Sequence, residues 1–320
     1  MMIEFFKHFE WKMLGRDHVE TKTPCQDSVT FASHHGVQVL AVADGAGSKS
    51  HSQHGSKIAV EKITELLSQN FKTVLQRMEE SGKKKSQFDN DQAYLKDWFQ
   101  TTIINEMQTF ATSNQISIQD MACTLLFVVF NQDYYVAGHI GDGLIVSIHG
   151  VSGQEYTKLV SEPDGEANET FFITMAKAQA RLRLKIGRMD EIKGFLITTD
   201  GIQDRVYQKK FGLSTNNLNT LVQAYYGKTN LEYKEFVDKL IANKWTDLTD
   251  DLSLALIIKE HQVIQPTIQN YLLDVLSNIK SKEQITTLSP YAYFLDGSAH
   301  FDELDFMSTE TLIERLKNGL

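Results

Sequence analysis

Cysteine, proline and net positive charge are all scarce in this chain. Two cysteines among 320 residues, Cys25 and Cys123, build no disulfide framework and match no zinc-ligand spacing. Four prolines are scattered through a sequence without repeats or low-complexity tracts. With 32 Lys and Arg against 41 Asp and Glu, the net charge is −9. The pI near 5.6 speaks against a protein that grips nucleic acid through a strongly basic face. The one basic run, Lys83-Lys84-Lys85, reads as a solvated loop. No apolar run is long enough to span a bilayer. The strongest, Met121-Ala122-Cys123-Thr124-Leu125-Leu126-Phe127-Val128-Val129-Phe130, makes Cys123 a small buried hydrophobe. The opening Met1-Met2-Ile3-Glu4-Phe5-Phe6-Lys7 lacks the apolar stretch and cleavage site of a signal peptide. These absences set the expectation of a reducing, cytoplasmic setting, with neither membrane nor nucleic acid as partner.

What is present suffices for a large core: 42% of residues are hydrophobic and 10% aromatic, enough for one big domain or two smaller ones. Strand character dominates the first stretch, where Ser28–Phe31 and Val37–Val42 flank a His34-His35-Gly36 turn. Apolar residues from Ser56 to Met78 recur at helical spacing, and a second amphipathic helix carries Tyr94, Leu95, Trp98, Ile103, Ile104 and Met107. The polar stretch Glu79–Gln92 between them reads as a loop. Strands return at Thr124–Phe130, Tyr134–Gly138 and Leu144–Ile148, a pattern of short runs that suggests an antiparallel meander. Met175–Leu184 looks helical, as do Asn216–Tyr226, with Gly227 placed to stop it, and Leu231–Lys244; Leu252–Ile258 is a last strand. This order is not the regular alternation of a parallel sheet. It predicts an α+β sandwich, helical pairs covering antiparallel sheets, over residues 1–260. Residues 261–320 read as an accessory helical C-terminal segment, with Ile268–Ile279 helical and Thr309–Gly319 a capped helix. A partner-docking or regulatory role is the rival reading of that segment.

Acidic pairs at the mouths of apolar runs carry the chemistry. Val39-Leu40-Ala41-Val42-Ala43 runs into Asp44-Gly45, and Phe195-Leu196-Ile197-Thr198-Thr199 into Asp200-Gly201. Gly141-Asp142-Gly143 joins two strands, and Asp250-Asp251 opens the last one. In an antiparallel sheet the end of one strand lies beside the start of its neighbour, so these acids can converge at one edge. Carboxylates gathered there repel by about 4 kcal/mol per pair at 4 Å and an effective dielectric of 20. All-oxygen ligation of that kind suits a hard divalent cation, Mg²⁺ or Mn²⁺.

Each Asp-Gly pair alone is an ordinary turn dipeptide. Their ordered set resembles the metal-dependent protein phosphatases of type 2C, over roughly Trp11 to Lys259. The compact bacterial branch is the best match, through His18…Pro24-Cys25-Gln26-Asp27-Ser28 and through Glu162-Pro163-Asp164-Gly165-Glu166…Asn168-Glu169-Thr170. The resemblance implies a four-layer αββα sandwich of two antiparallel sheets flanked by helices, with two Mg²⁺ or Mn²⁺ ions at the sheet edges. By the same likeness, Asp44 bridges both ions, the Gly45 carbonyl ligates one, and Asp200 and Asp250 complete the other. Asp27 orients metal-bound water, and Asp142 and Asp204 match a third, weaker metal position. Paired cations hold a shared water as hydroxide near neutral pH and offset phosphoryl charge, so no protein nucleophile is required. The implied partner is a protein phosphorylated on serine or threonine, with a cognate kinase behind it.

Two positions depart from the family pattern. Lys22 stands where many relatives carry a phosphate-binding Arg; lysine holds phosphate as a point charge without the bidentate fork, and Arg16 is the substitute candidate. Ala46 occupies a position that is His in eukaryotic members, which leaves the general acid open among His18, His51, His54 and His139. Asp251, where relatives usually have Asn, adds a negative charge beside Asp250. Thr198, Thr199 and Ser253 read as strand-edge packing. Two rival readings stay open: a phosphatase of a small phosphorylated metabolite, and a non-catalytic module holding a structural cation.

Overall fold

The computed structural model describes residues 2–81, 85–150, 153–160 and 170–263. Two five-stranded antiparallel sheets form its centre. One is ordered β1 (Met2–Met13), β12 (Leu252–Val263), β9 (Ile192–Thr198), β6 (Leu144–His149) and β7 (Glu155–Lys158). The other is ordered β2 (Ser28–His34), β3 (Val37–Ala43), β4 (Leu125–Phe130), β5 (Tyr134–Ile140) and β8 (Arg183–Arg188). A small hairpin of β10 (Tyr207–Gln208) and β11 (Gly212–Leu213) stands apart. The long helices α2 (Ser52–Ser81) and α3 (Lys85–Asn114) cover the β2–β8 sheet, while α5 (Thr215–Tyr225) and α6 (Asn230–Lys244) cover the other. Two short helices, α1 (Arg16–Thr21) and α4 (Asp200–Val206), lie in connections.

Strict alternation along the central strands explains the layering. In β3, Val39, Ala41 and Ala43 pack under α2 and α3, whereas Leu40 and Val42 join the core between the sheets. In β12, Leu254, Leu256 and Ile258 face α5 and α6, and Ala255 and Ile257 face inward. Both faces of these strands are buried, which is why they read as unbroken apolar runs. Removing a leucine or valine of this kind from water contributes about 1.5–3 kcal/mol. The architecture is the α+β, αββα sandwich expected from the sequence. Among the described residues, no helix is long and apolar enough to cross a membrane.

Two expectations fail. The loop read at Glu79–Gln92 is mostly helical: α2 continues to Ser81 and α3 already begins at Lys85. Glu, Gln and Lys are good helix formers, so a polar composition alone does not mark a loop. The helix read at Met175–Leu184 is a run of turns with one short 3-10 segment, Ala178–Ala180, followed by β8. Leu184 and Ile186 have the period of that strand, and β8 pairs antiparallel with β5. Three short elements left no signal in the sequence: α1, which buries no residue, the edge strand β7 and the hairpin. The last strand is longer than expected and pairs Val263 with Met2, past the boundary read at 260. The C-terminal helices read within 264–320 and the Glu162–Glu169 part of the family pattern lie outside the described residues.

Candidate metal centre

Strand register gathers the acids. β9 and β12 are antiparallel neighbours, with Thr198 opposite Leu254, so Asp200, just past the end of β9, and Asp250, just before the start of β12, share one end of a sheet. Asp44 follows β3 at the facing end of the other sheet, and Asp142 sits in the turn that carries the chain from β5 into β6. Gly141 and Gly143 flank it at φ +98° and +105°, a region that strongly favours glycine. One carboxylate oxygen each from Asp44, Asp142 and Asp200 lies within 4.8 Å of the others. Asp250 is exposed at the rim, where its Oδ1 accepts the Asp251 N–H at 2.8 Å. Asp204, one helical turn after Asp200, is exposed and stands outside that trio.

The neighbourhood of Gly45 adds a steric reason for glycine. A Cβ there would meet the Gln26 carbonyl oxygen at 2.8 Å and the Ser52 backbone at 2.9 Å. Close packing of chain segments, besides an unobstructed carbonyl, therefore requires the residue. The Asp44 backbone is held on both sides by Thr124, whose hydroxyl accepts the Asp44 N–H at 2.9 Å and whose N–H donates to the Asp44 carbonyl at 2.8 Å.

Electrostatically the cluster is frustrated. Burial pushes the Asp44 carboxyl far above the usual carboxylate range, and Asp27, Asp200, Asp250 and Asp142 push it further. Asp200 is raised by burial, then by Asp142, Asp250 and Asp27. Asp27, only 1% exposed, is raised by burial, opposed by hydroxyl donors. Its Oδ1 is buried and without a hydrogen-bond partner, as is Oδ1 of Asp142, whose Oδ2 accepts from the Thr170 hydroxyl at 2.8 Å. Converging carboxylates and two orphaned acceptors make a donor set that fits a hard divalent cation.

Asp251 is a clamp as well as an added charge, one that also raises Asp27. Its Oδ1 accepts the Gly15 N–H at 2.7 Å and its Oδ2 the Gln26 N–H at 2.6 Å, while His18 Nδ1 lies 2.9 Å from Oδ2. The buried carboxylate thus ties the start of β12 to the loop that carries Asp27. Asp251→Asn would turn an NH₂ group towards a backbone N–H and leave that donor unmatched, at a cost of about 1–3 kcal/mol. Urea unfolding should show the loss; unchanged stability would refute the clamp.

Lys22 is the exposed C-cap of α1, at φ 58°, with no side-chain partner among the described residues. Arg16, also exposed, opens the same helix. Of the histidines, His18 is engaged by Asp251 and His139 is wholly buried in β5, whereas His51 and His54 flank the start of α2. Thr199, read as packing, instead donates to Asp27 Oδ2 at 2.7 Å. That role becomes visible only once the stacking of the two sheets is known, since Asp27 precedes β2 in one and Thr199 follows β9 in the other.

The sequence model of protein phosphatase 2C matches residues 14–236, more than half of the chain. The chain belongs to the protein phosphatase 2C family. It is a metal-dependent protein phosphatase, and the acidic cluster is consistent with that chemistry. Serine/threonine-protein phosphatase 3 of Escherichia coli (strain K12) is 28% identical over 263 residues, covering 76% of this chain and 94% of that one. A bacterial serine phosphatase superposes with a TM-score of 0.54 at 14% identity, covering 81% of this chain and all of that one. The phosphatase Stp1 of Staphylococcus aureus gives 0.51 at 14% identity, covering 79% and 95%. At such identities the two structures of this 2C group speak for the fold.

Proposed function

We propose that this phosphatase hydrolyses phosphoserine and phosphothreonine in proteins, with Asp44, the Gly45 carbonyl, Asp200 and Asp250 holding two Mg²⁺ or Mn²⁺ ions. The observation that carries this reading is the convergence of Asp44, Asp142 and Asp200 within 4.8 Å. When bound, the cations supply an activated water and offset charge on the phosphoryl oxygens. Asp27, with one oxygen tied to Thr199 and the other free, orients water at the centre. Asp142, with one oxygen buried and unpartnered, and the exposed Asp204 hold a third, weaker ion. Lys22, exposed and unpaired, receives the substrate phosphate. The serine and threonine specificity is that printed in the name of the E. coli relative. A kinase acting on the same residues supplies the substrate, and the two free cysteines suit a cytoplasmic setting.

Turnover of a phosphopeptide panel against phosphorylated metabolites, with Mn²⁺ and then with chelator, tests the reading. Phosphopeptides should be preferred and chelation should abolish hydrolysis; preference for metabolites, or metal-independent turnover, would overturn it. Lys22→Ala should mainly raise KM, because a ground-state phosphate contact is lost. An unaltered KM would move that role to another cation.

A further inference from the structure

Thr199 immediately precedes α4 as its N-cap, where a threonine side chain ordinarily accepts a backbone N–H of the first turn. Here it makes no capping bond. Its hydroxyl donates instead to Asp27 Oδ2, at 2.7 Å, across 172 residues of sequence. Ser253 fixes that direction from the adjacent strand: its N–H donates to Thr199 Oγ1 at 3.3 Å, and the two hydroxyls are 3.1 Å apart. The Asp27 carboxylate can only accept, so the Thr199 proton goes to it while the Thr199 oxygen accepts the Ser253 N–H. Thr198 locks the same strand pair, donating to the Ser253 carbonyl at 2.7 Å. Thr199 and Ser253 are fully buried and Asp27 nearly so, so water cannot substitute for a missing donor.

We infer that Thr199, supported by Ser253, is a positioning residue that fixes the Asp27 carboxylate with its second oxygen turned to the metal centre, and thereby sets cation affinity. The inference rests on the metal-holding reading above. A helix cap is forgone at the one place where the hydroxyl can reach Asp27, and the Asp27 oxygen left over is both buried and unpartnered. In turn, the Lys12 ammonium donates to the Asp27 carbonyl at 2.8 Å, so main chain and side chain of Asp27 are both anchored. The carboxylate then has little rotational freedom to lose when an ion or its water arrives.

The test compares Thr199→Val, which keeps the shape and removes the hydroxyl, with Thr199→Ser, which keeps the hydroxyl. Mn²⁺ binding is read by calorimetry on the full-length protein, and kcat and KM on an aryl phosphate. Thr199→Val should weaken Mn²⁺ binding by about tenfold or more, the range of an outer partner of a metal ligand. It should lower kcat at saturating Mn²⁺ with little change in KM. Thr199→Ser should restore both to within about threefold of wild type. Ser253→Ala should fall between the two. Wild-type Mn²⁺ affinity in Thr199→Val would overturn the inference, as would a Thr199→Ser variant as impaired as the valine form, since shape rather than the hydroxyl would then matter. A wild-type protein that binds no Mn²⁺ would sink the metal-holding reading itself, a result distinct from either.

Discussion

Asp44→Asn should reduce turnover by at least about a hundredfold, since even outer partners of metal ligands are worth about 10–100-fold and Asp44 is proposed to touch the ions directly. The same change should make the metal-free protein more stable. Asp44 is forced towards its protonated form by burial and by Asp27, Asp200, Asp250 and Asp142, whereas in the unfolded chain it ionises at its ordinary value of 3.8. Folding at neutral pH must therefore take up a proton against the solution, and asparagine removes that penalty. The gain should vanish at about pH 4, where the unfolded aspartate also begins to protonate. Thermal melts in chelator and turnover with Mn²⁺ check the two halves. A variant that is both inactive and less stable than wild type across that range would contradict the electrostatic account.

Opposite responses to pH with and without Mn²⁺ are the second expected result. Asp27 and Asp200 are pushed to about 7, and Asp44 higher still, all mainly by burial. A carboxyl whose folded value lies above its unfolded value favours the native state only while the proton stays on. Their contribution to metal-free stability should therefore fall as pH rises from about 4 towards about 7. Mn²⁺ demands the deprotonated ligands, so its binding strengthens over the same window and the trend reverses. At a hundredfold excess over Kd the ion adds about 2.7 kcal/mol. Melts across that window, compared between wild type and Asp200→Asn to isolate the cluster, measure the effect. Parallel curves with chelator and with Mn²⁺ would refute it.

Both results depend on residues whose importance was visible before any fold. Asp44, Asp142 and Asp200 stand at the mouths of apolar runs, and a run of Val, Leu and Ile ending in Asp-Gly shows where a buried strand surfaces. Helices that cover a sheet were equally legible, because α2 and α5 each present one apolar face at helical spacing. Composition misled where polar residues are helical: the polar continuation of α2 and α3 looked like a loop. Apparent helical spacing at Met175–Leu184 came from turns running into a strand.

Local pattern therefore established a sandwich of helix-covered antiparallel sheets and pointed to the acids at strand ends, because alternation and strand-end chemistry are properties of neighbours in sequence; the four-layer αββα order came from the family resemblance. Which oxygen meets which donor was settled by folding. Asp251 joins Gly15 and Gln26, and Thr199 joins Asp27, across more than 170 residues. Such pairings depend on strand register and sheet stacking, long-range outcomes that no local run of residues encodes.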